Sequence, residues 1–175
     1  MKKNSKRILI LLSAILLGVI ILLVSFLPKN IDISYIAAQY NSDEPHIVQR
    51  NLTITMKGKL YRPLFLDTRY EGSCVIEGYD ITKEYDLDDI IFSHTNGIRN
   101  ITYSTIKDDS EKTWHLGNVW IKDDVDAILI WGLAPSGNPE ERVRIVAPAV
   151  TSEEAEEIMD IWRNDVTITK KKKIR

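Results

Sequence analysis

The sequence predicts an α+β protein, with one N-terminal transmembrane helix, a mostly antiparallel sheet of six to eight strands, and a C-terminal helix packed on that sheet. Three observations carry this expectation. Residues 8–27 are 20 consecutive residues without charge or proline. At about 1.5 Å per helical residue they would span roughly 30 Å, the thickness of a bilayer's hydrocarbon core. Short runs then alternate apolar and polar residues between polar turns, the period of half-buried strands. Finally, Thr151-Ser152-Glu153-Glu154 has the form of a capping box and opens a stretch with helical apolar spacing.

Lys2, Lys3, Lys6 and Arg7 precede the apolar run, and Pro28 follows it. The excess of positive charge on that side predicts residues 1–7 as a cytoplasmic stub and 28–169 as an extracytoplasmic domain. A cleaved signal peptide would have a shorter apolar run and small residues at its exit. This run leaves through Ser25-Phe26-Leu27, so residues 8–27 are expected to remain as a signal-anchor whose partner is the lipid bilayer. Ala14 and Gly18 form a small-xxx-small pair, which lets membrane helices approach closely, but it leaves the oligomeric state open.

Composition narrows the function classes. Residues 1–29 hold five Lys/Arg and no acid, and the basic tail 170–175 holds five more. Of 23 bases and 25 acids in all, 13 and 25 therefore lie in residues 30–169, a net charge of −12. Such a body repels nucleic acid and anionic lipid headgroups, and nucleic acid is excluded as an expected partner. A single cysteine, Cys74, allows no internal disulfide. A disulfide-free domain outside the membrane fits a bacterial envelope, where a protein partner is the expectation.

In chain order, strands are expected at 31–35, at 52–57 with Gly58 as a bulge or turn before Leu60-Tyr61, and at 70–81. An acid-rich turn is expected at 83–89. Residues 90–93 and 98–106 flank His94-Thr95-Asn96-Gly97, the strongest short-range hairpin cue in the chain. Residues 108–112 read as a polar turn. Residues 119–121 and 125–133 read as a second hairpin through Lys122-Asp123-Asp124, and Ile128–Trp131 lacks alternation, as a strand covered on both faces does. Val143 to Ala147 is the last strand. The C-terminal helix is expected over 152–164, with Ala155, Ile158, Met159 and Trp162 as its buried stripe.

No catalytic signature, nucleotide-binding glycine loop or metal-ligand spacing is present in the sequence, and no cofactor or metal is expected. His46, His94 and His115 have no zinc-site spacing, and Asp88-Asp89, Asp108-Asp109 and Asp123-Asp124 fall at expected turns. The low-ranking catalytic candidates are Cys74 as nucleophile with His94 or His115 as its base, the arrangement of a cysteine hydrolase or transpeptidase. Against it, Cys74 falls in a strand beside Ile76 and reads as a small buried hydrophobe. Trp114, Trp120 and Trp131 read mainly as core. Leu64-Phe65-Leu66 stands out, because three consecutive apolar residues in a loop must be covered by core, membrane or partner. The expectation is a non-enzymatic binding or interaction domain with that tip as a binding element.

Overall fold

The structure, a computed structural model, describes residues 2–41, 47–63, 66–92, 98–107, 110–133 and 143–173; side chains are described throughout these except at 2–11, 25, 106, 107, 110, 133 and 167–173. A helix, α1 (Lys2–Ser25), leads directly into the strands β1 (Lys29–Asn41), β2 (Arg50–Tyr61) and β3 (Thr68–Ile76). A one-turn helix α2 (Ile81–Glu84) precedes two short strands, β4 (Asp86–Leu87) and β5 (Ile90–Phe92). Then come β6 (Ile98–Lys107), β7 (Ser110–Lys122), β8 (Ala127–Leu133), β9 (Val143–Ala147) and the helix α3 (Ser152–Lys173). The architecture is α+β, as expected. The described residues hold nine strands rather than six to eight, and the unexpected one is β4, whose two residues are too few to show a period.

All nine strands join one antiparallel sheet in the order β4-β6-β7-β8-β9-β1-β2-β3-β5. The sheet curls on itself, so that its inner face encloses one core. Ile54, Met56, Tyr70, Cys74, Ile101, Tyr103, Ile128 and Ile145 all belong to it, although they come from both halves of the sheet. The Tyr103 hydroxyl on β6 donates to the Cys74 carbonyl oxygen on β3 at 2.5 Å, a bond that crosses from one end of the strand order to the other. Gly58 sits opposite Gly72 in the β2–β3 ladder, and the strand runs straight on through both. The bulge or turn expected at Gly58 is a close crossing of two backbones instead.

A second core lies outside the curl. Thr151 and Glu154 close the capping box from both sides: the Glu154 N–H donates to Thr151 Oγ1 and the Thr151 N–H to Glu154 Oε2, both at 3.3 Å. The Val150 N–H also donates to Glu154 Oε2, at 2.7 Å. From this cap α3 lays Ala155, Ile158 and Met159 on Ala38, Tyr40, Leu129 and Val146, while Trp162 tilts against Trp131 with 5.4 Å between ring centroids. Ile128 and Ile130 point into the curl and Leu129 toward α3, which explains why this strand lacks alternation.

Four further expectations need correction. The strand expected over 70–81 ends at Ile76, and Tyr79 folds back into the core ahead of α2, where the Thr82 hydroxyl accepts from the Ile76 N–H and donates to the Tyr79 carbonyl. The turn 94–97 lies outside the described residues, and among the described residues the expected β5–β6 ladder is absent: β5 pairs with β3, and β6 pairs with β4 and β7. Instead, Arg99 Nε donates to the Ile91 carbonyl, bridging the seam with a side chain. The turn expected over 108–112 narrows, because Ser110–Lys122 is already strand β7. Finally, α3 runs to Lys173 rather than to 164 and takes Lys170 to Lys173 of the expected tail into its backbone, since no glycine or proline stops it.

Among the described residues no helix is long and apolar enough to cross a membrane. The side chains of residues 8–11 and 25, which belong to the apolar run 8–27, lie outside that description.

Candidate functional site

The end of α1 meets the sheet at a groove. The last turn of the helix tightens through bonds from the Phe26 N–H to the Leu23 carbonyl at 3.2 Å and from Leu27 to Val24 at 3.1 Å. Phe26, Leu27 and Pro28 are the three residues between α1 and β1. Beside this junction the β2–β3 connection brings Tyr61, Pro63 and Leu66 alongside Phe26, and the register sets Tyr61 opposite Arg69 and Arg69 opposite Ile91. Together with Asp67 these residues line a groove of about 460 Å³.

Phe26, Leu66 and Ile91 are exposed, at 48%, 56% and 47%. Ile91 points outward because its neighbours Ile90 and Phe92 point into the core. The Arg69 guanidinium lies 4.9 Å from the Tyr61 ring centroid and 2.5 Å from Glu71 Oε1. Ile91 is shared with a second groove of about 490 Å³ over the seam, which Arg99, Asn100 and Asn118 also line. The junction is braced on another side by Lys29 Nζ, 2.6 Å from Asp124 Oδ2, and Arg62 Nη1, 3.2 Å from Asp124 Oδ1. The hydrogen bond from Lys29 holds the Asp124 carboxyl below the usual carboxylate range.

Of the sequence candidates, Leu66 lines this groove; Leu64 and Phe65 lie outside the described residues. Sequence reasoning found the apolar tip but missed Phe26, Tyr61, Arg69 and Ile91, which only the strand register brings beside it. The outward isoleucine between two inward apolar residues was the one available signal.

Cys74 is buried in the curl, facing away from solvent. Burial pushes its thiol up to about 12, so it is protonated at neutral pH, the reverse of an activated nucleophile. His115 is on the outer surface, with Nδ1 3.1 Å from Thr102 Oγ1, whereas Cys74 faces inward. His94 and His46 lie outside the described residues. Among the described residues no three His, Cys, Asp or Glu side chains converge as a metal site requires. Asp88 accepts a 2.5 Å hydrogen bond from Ser104 Oγ, and Asp123 occupies the β7–β8 turn with φ 40°. Trp120 is core and Trp131 is half-buried, but Trp114 is exposed, packed edge-on against Tyr85 at 6.1 Å.

The class these observations define is a curled antiparallel sheet with one covering helix and an open apolar groove. No family model, curated protein or solved structure matches the chain.

Proposed function

We propose that this protein is a non-enzymatic binding or interaction module, held at the outer face of a bacterial cytoplasmic membrane by residues 8–27. The observation that carries the reading is the junction: an uncharged run of 20 residues behind a basic stub leads, through one proline, into a rigid sheet. The exposed apolar side chains Phe26, Leu27 and Leu66 gather at that junction, where an interfacial surface would place them. The domain beyond it has its one thiol sequestered, which favours binding over covalent chemistry.

The topology is tested by labelling. Asp80 lies in the turn before α2 with its side chain 83% exposed, and Cys74 is buried, so Asp80→Cys supplies the one reactive thiol. In intact cells a membrane-impermeant maleimide should label Asp80→Cys and leave the parent chain unlabelled. Labelling that requires permeabilised cells would overturn the orientation. In-cell crosslinking of the tagged full chain then separates the interaction classes: a discrete co-purifying protein supports a protein partner, and a clean monomer shifts the reading to a small ligand.

A further inference from the structure

We infer that the open edge of β1 between Asp32 and Ile36 takes up an extended segment of a partner protein, with lysine or arginine at alternate positions. This rests on the interaction-module reading above and names its partner class, at a place separate from the groove beside Phe26.

A proline opens the edge. β1 and β9 pair from Asn41↔Val143 to Ala38↔Val146, and the same register would set Pro148 opposite Ile36. Pro148 has no N–H to give, so the Ile36 carbonyl accepts from the Ala149 N–H instead, at 3.1 Å. The Thr151 cap then turns the chain into α3, and the ladder stops. On its other side β1 stays paired with β2 down to Lys29. Backbone direction alternates along a strand, so Ser34 and Asp32 aim their N–H and carbonyl groups the same way as Ile36. Among the described residues those groups have no partner in ladder or turn. A strand from the middle of the sheet order thus carries a stretch of free edge.

The edge faces a groove of about 670 Å³. Ser34 and Ile36 form one side of it, Asp126 and Ala127 the other, with Val150 and Ile161 toward α3. From Asp32 to Ile36 the edge runs about 13 Å, at about 3.3 Å per residue, enough for a short strand.

The unpaired groups select the occupant. A row of alternating main-chain donors and acceptors is matched by another polypeptide, and an acyl chain has nothing to offer it. Charge then selects among polypeptides. Four acids line the groove, Asp123, Asp126, Glu154 and Glu157, against the single base Lys122. Glu154 is engaged in the helix cap, but Asp123, Asp126 and Glu157 have no ionic partner among the described residues. A second copy of the same edge would bring like charges together, which disfavours pairing of two β1 strands.

The test follows amide exchange by NMR on the purified full chain in detergent micelles. In the free chain Asp32 and Ser34 should exchange faster than Ile33 and Tyr35, which bond β2. The probes are a short peptide alternating lysine with valine, and its counterpart with glutamate for lysine. The lysine peptide at ten times its Kd should slow exchange at Asp32 and Ser34 about tenfold, and the glutamate peptide should not. N-methylation of one alternate set of its residues should abolish the protection, and of the other set should leave it. Ser34→Pro removes an edge donor outside the β1–β2 ladder and should abolish binding. Glu157→Gln, which leaves the backbone intact, should weaken it about threefold. Protection by neither peptide, by both equally, or whichever set is methylated would overturn the proposal. So would protection that rises with protein concentration alone, which would give the edge to a second copy. A partner crosslinked in cells and retained by Ser34→Pro would overturn this seat but leave the interaction module standing. A clean monomer in cells would overturn both.

Discussion

Gly58 and Gly72 face each other across β2 and β3 so closely that neither position has room for a side chain. A Cβ on Gly58 would lie 2.1 Å from the Glu71 carbonyl oxygen, and one on Gly72 would lie 2.2 Å from that of Lys57. Both obstacles are backbone, so nothing can rotate away. Gly72 also has φ 152°, at the edge of the region that glycine alone enters readily. Gly58→Ala or Gly72→Ala should therefore destabilise the chain by more than about 2 kcal/mol, read as a lowered urea midpoint. A shift under half of that would show that the ladder relaxes.

The Tyr40 hydroxyl is buried beneath α3 and finds no hydrogen-bond partner among the described residues. An unsatisfied buried hydroxyl costs about 1–3 kcal/mol, so Tyr40→Phe should leave stability unchanged or raise it. Most buried substitutions lower stability, which makes the sign decisive. A loss of more than about 1 kcal/mol would reveal a bond or bridging water at that hydroxyl.

Alkali should unfold the domain. Burial raises the Cys74 thiol to about 12 and the Tyr40 phenol to about 12, and it raises Tyr70 and Tyr103 further. In the unfolded chain these groups ionise near 9 for the thiol and near 10 for the phenols. Their burial is therefore neutral below pH 9 and works against the folded state as pH rises from 9 toward 12. Each such group removes about 1.4 kcal/mol per pH unit within its window. Phenolate absorbance and loss of tertiary structure should rise together in that range. Phenolate signal from these buried tyrosines ahead of unfolding would contradict their burial.

The thiol makes a matching kinetic prediction. Cys74 should react with a maleimide only at the rate at which the curled sheet opens, and urea should accelerate that reaction. Cys74→Ala should preserve partner capture, with a stability change of about 1 kcal/mol. Lost capture from a stably folded variant would return Cys74 to the centre of the function.

Thr151→Ala removes the hydroxyl that accepts from the Glu154 N–H and should lower stability by about 1 kcal/mol. Because α3 covers β8, β9 and β1, helicity and the Trp131–Trp162 fluorescence should be lost together on denaturation.

The helix cap shows where sequence is most informative. Its signal is contained within four adjacent residues, and the buried stripe that follows depends on helical spacing alone. The β7–β8 hairpin and the strand from Val143 to Ala147 were legible for a similar reason, since each buries a contiguous apolar run. Asn96-Gly97 shows the limit. The local cue predicts that 90–93 pairs with 98–106, yet Ile90 is registered on Tyr70 and Phe92 on Thr68, residues some twenty positions earlier. That pairing joins residues distant in sequence, and no local pattern encodes it. The first half of β7 escaped notice because Glu111, Lys112, Thr113 and His115 are exposed and carry no apolar alternation. The groove was legible only at Leu66, because its other walls come from distant parts of the chain.

Only three residues, Phe26 to Pro28, separate α1 from β1, and the salt bridges from Lys29 and Arg62 to Asp124 bind the start of β1 and the end of β2 to the β7–β8 turn. So short a connection leaves little slack, and any change in the direction of α1 would have to move Phe26, one wall of the groove, relative to Leu66 and Ile91 on the sheet.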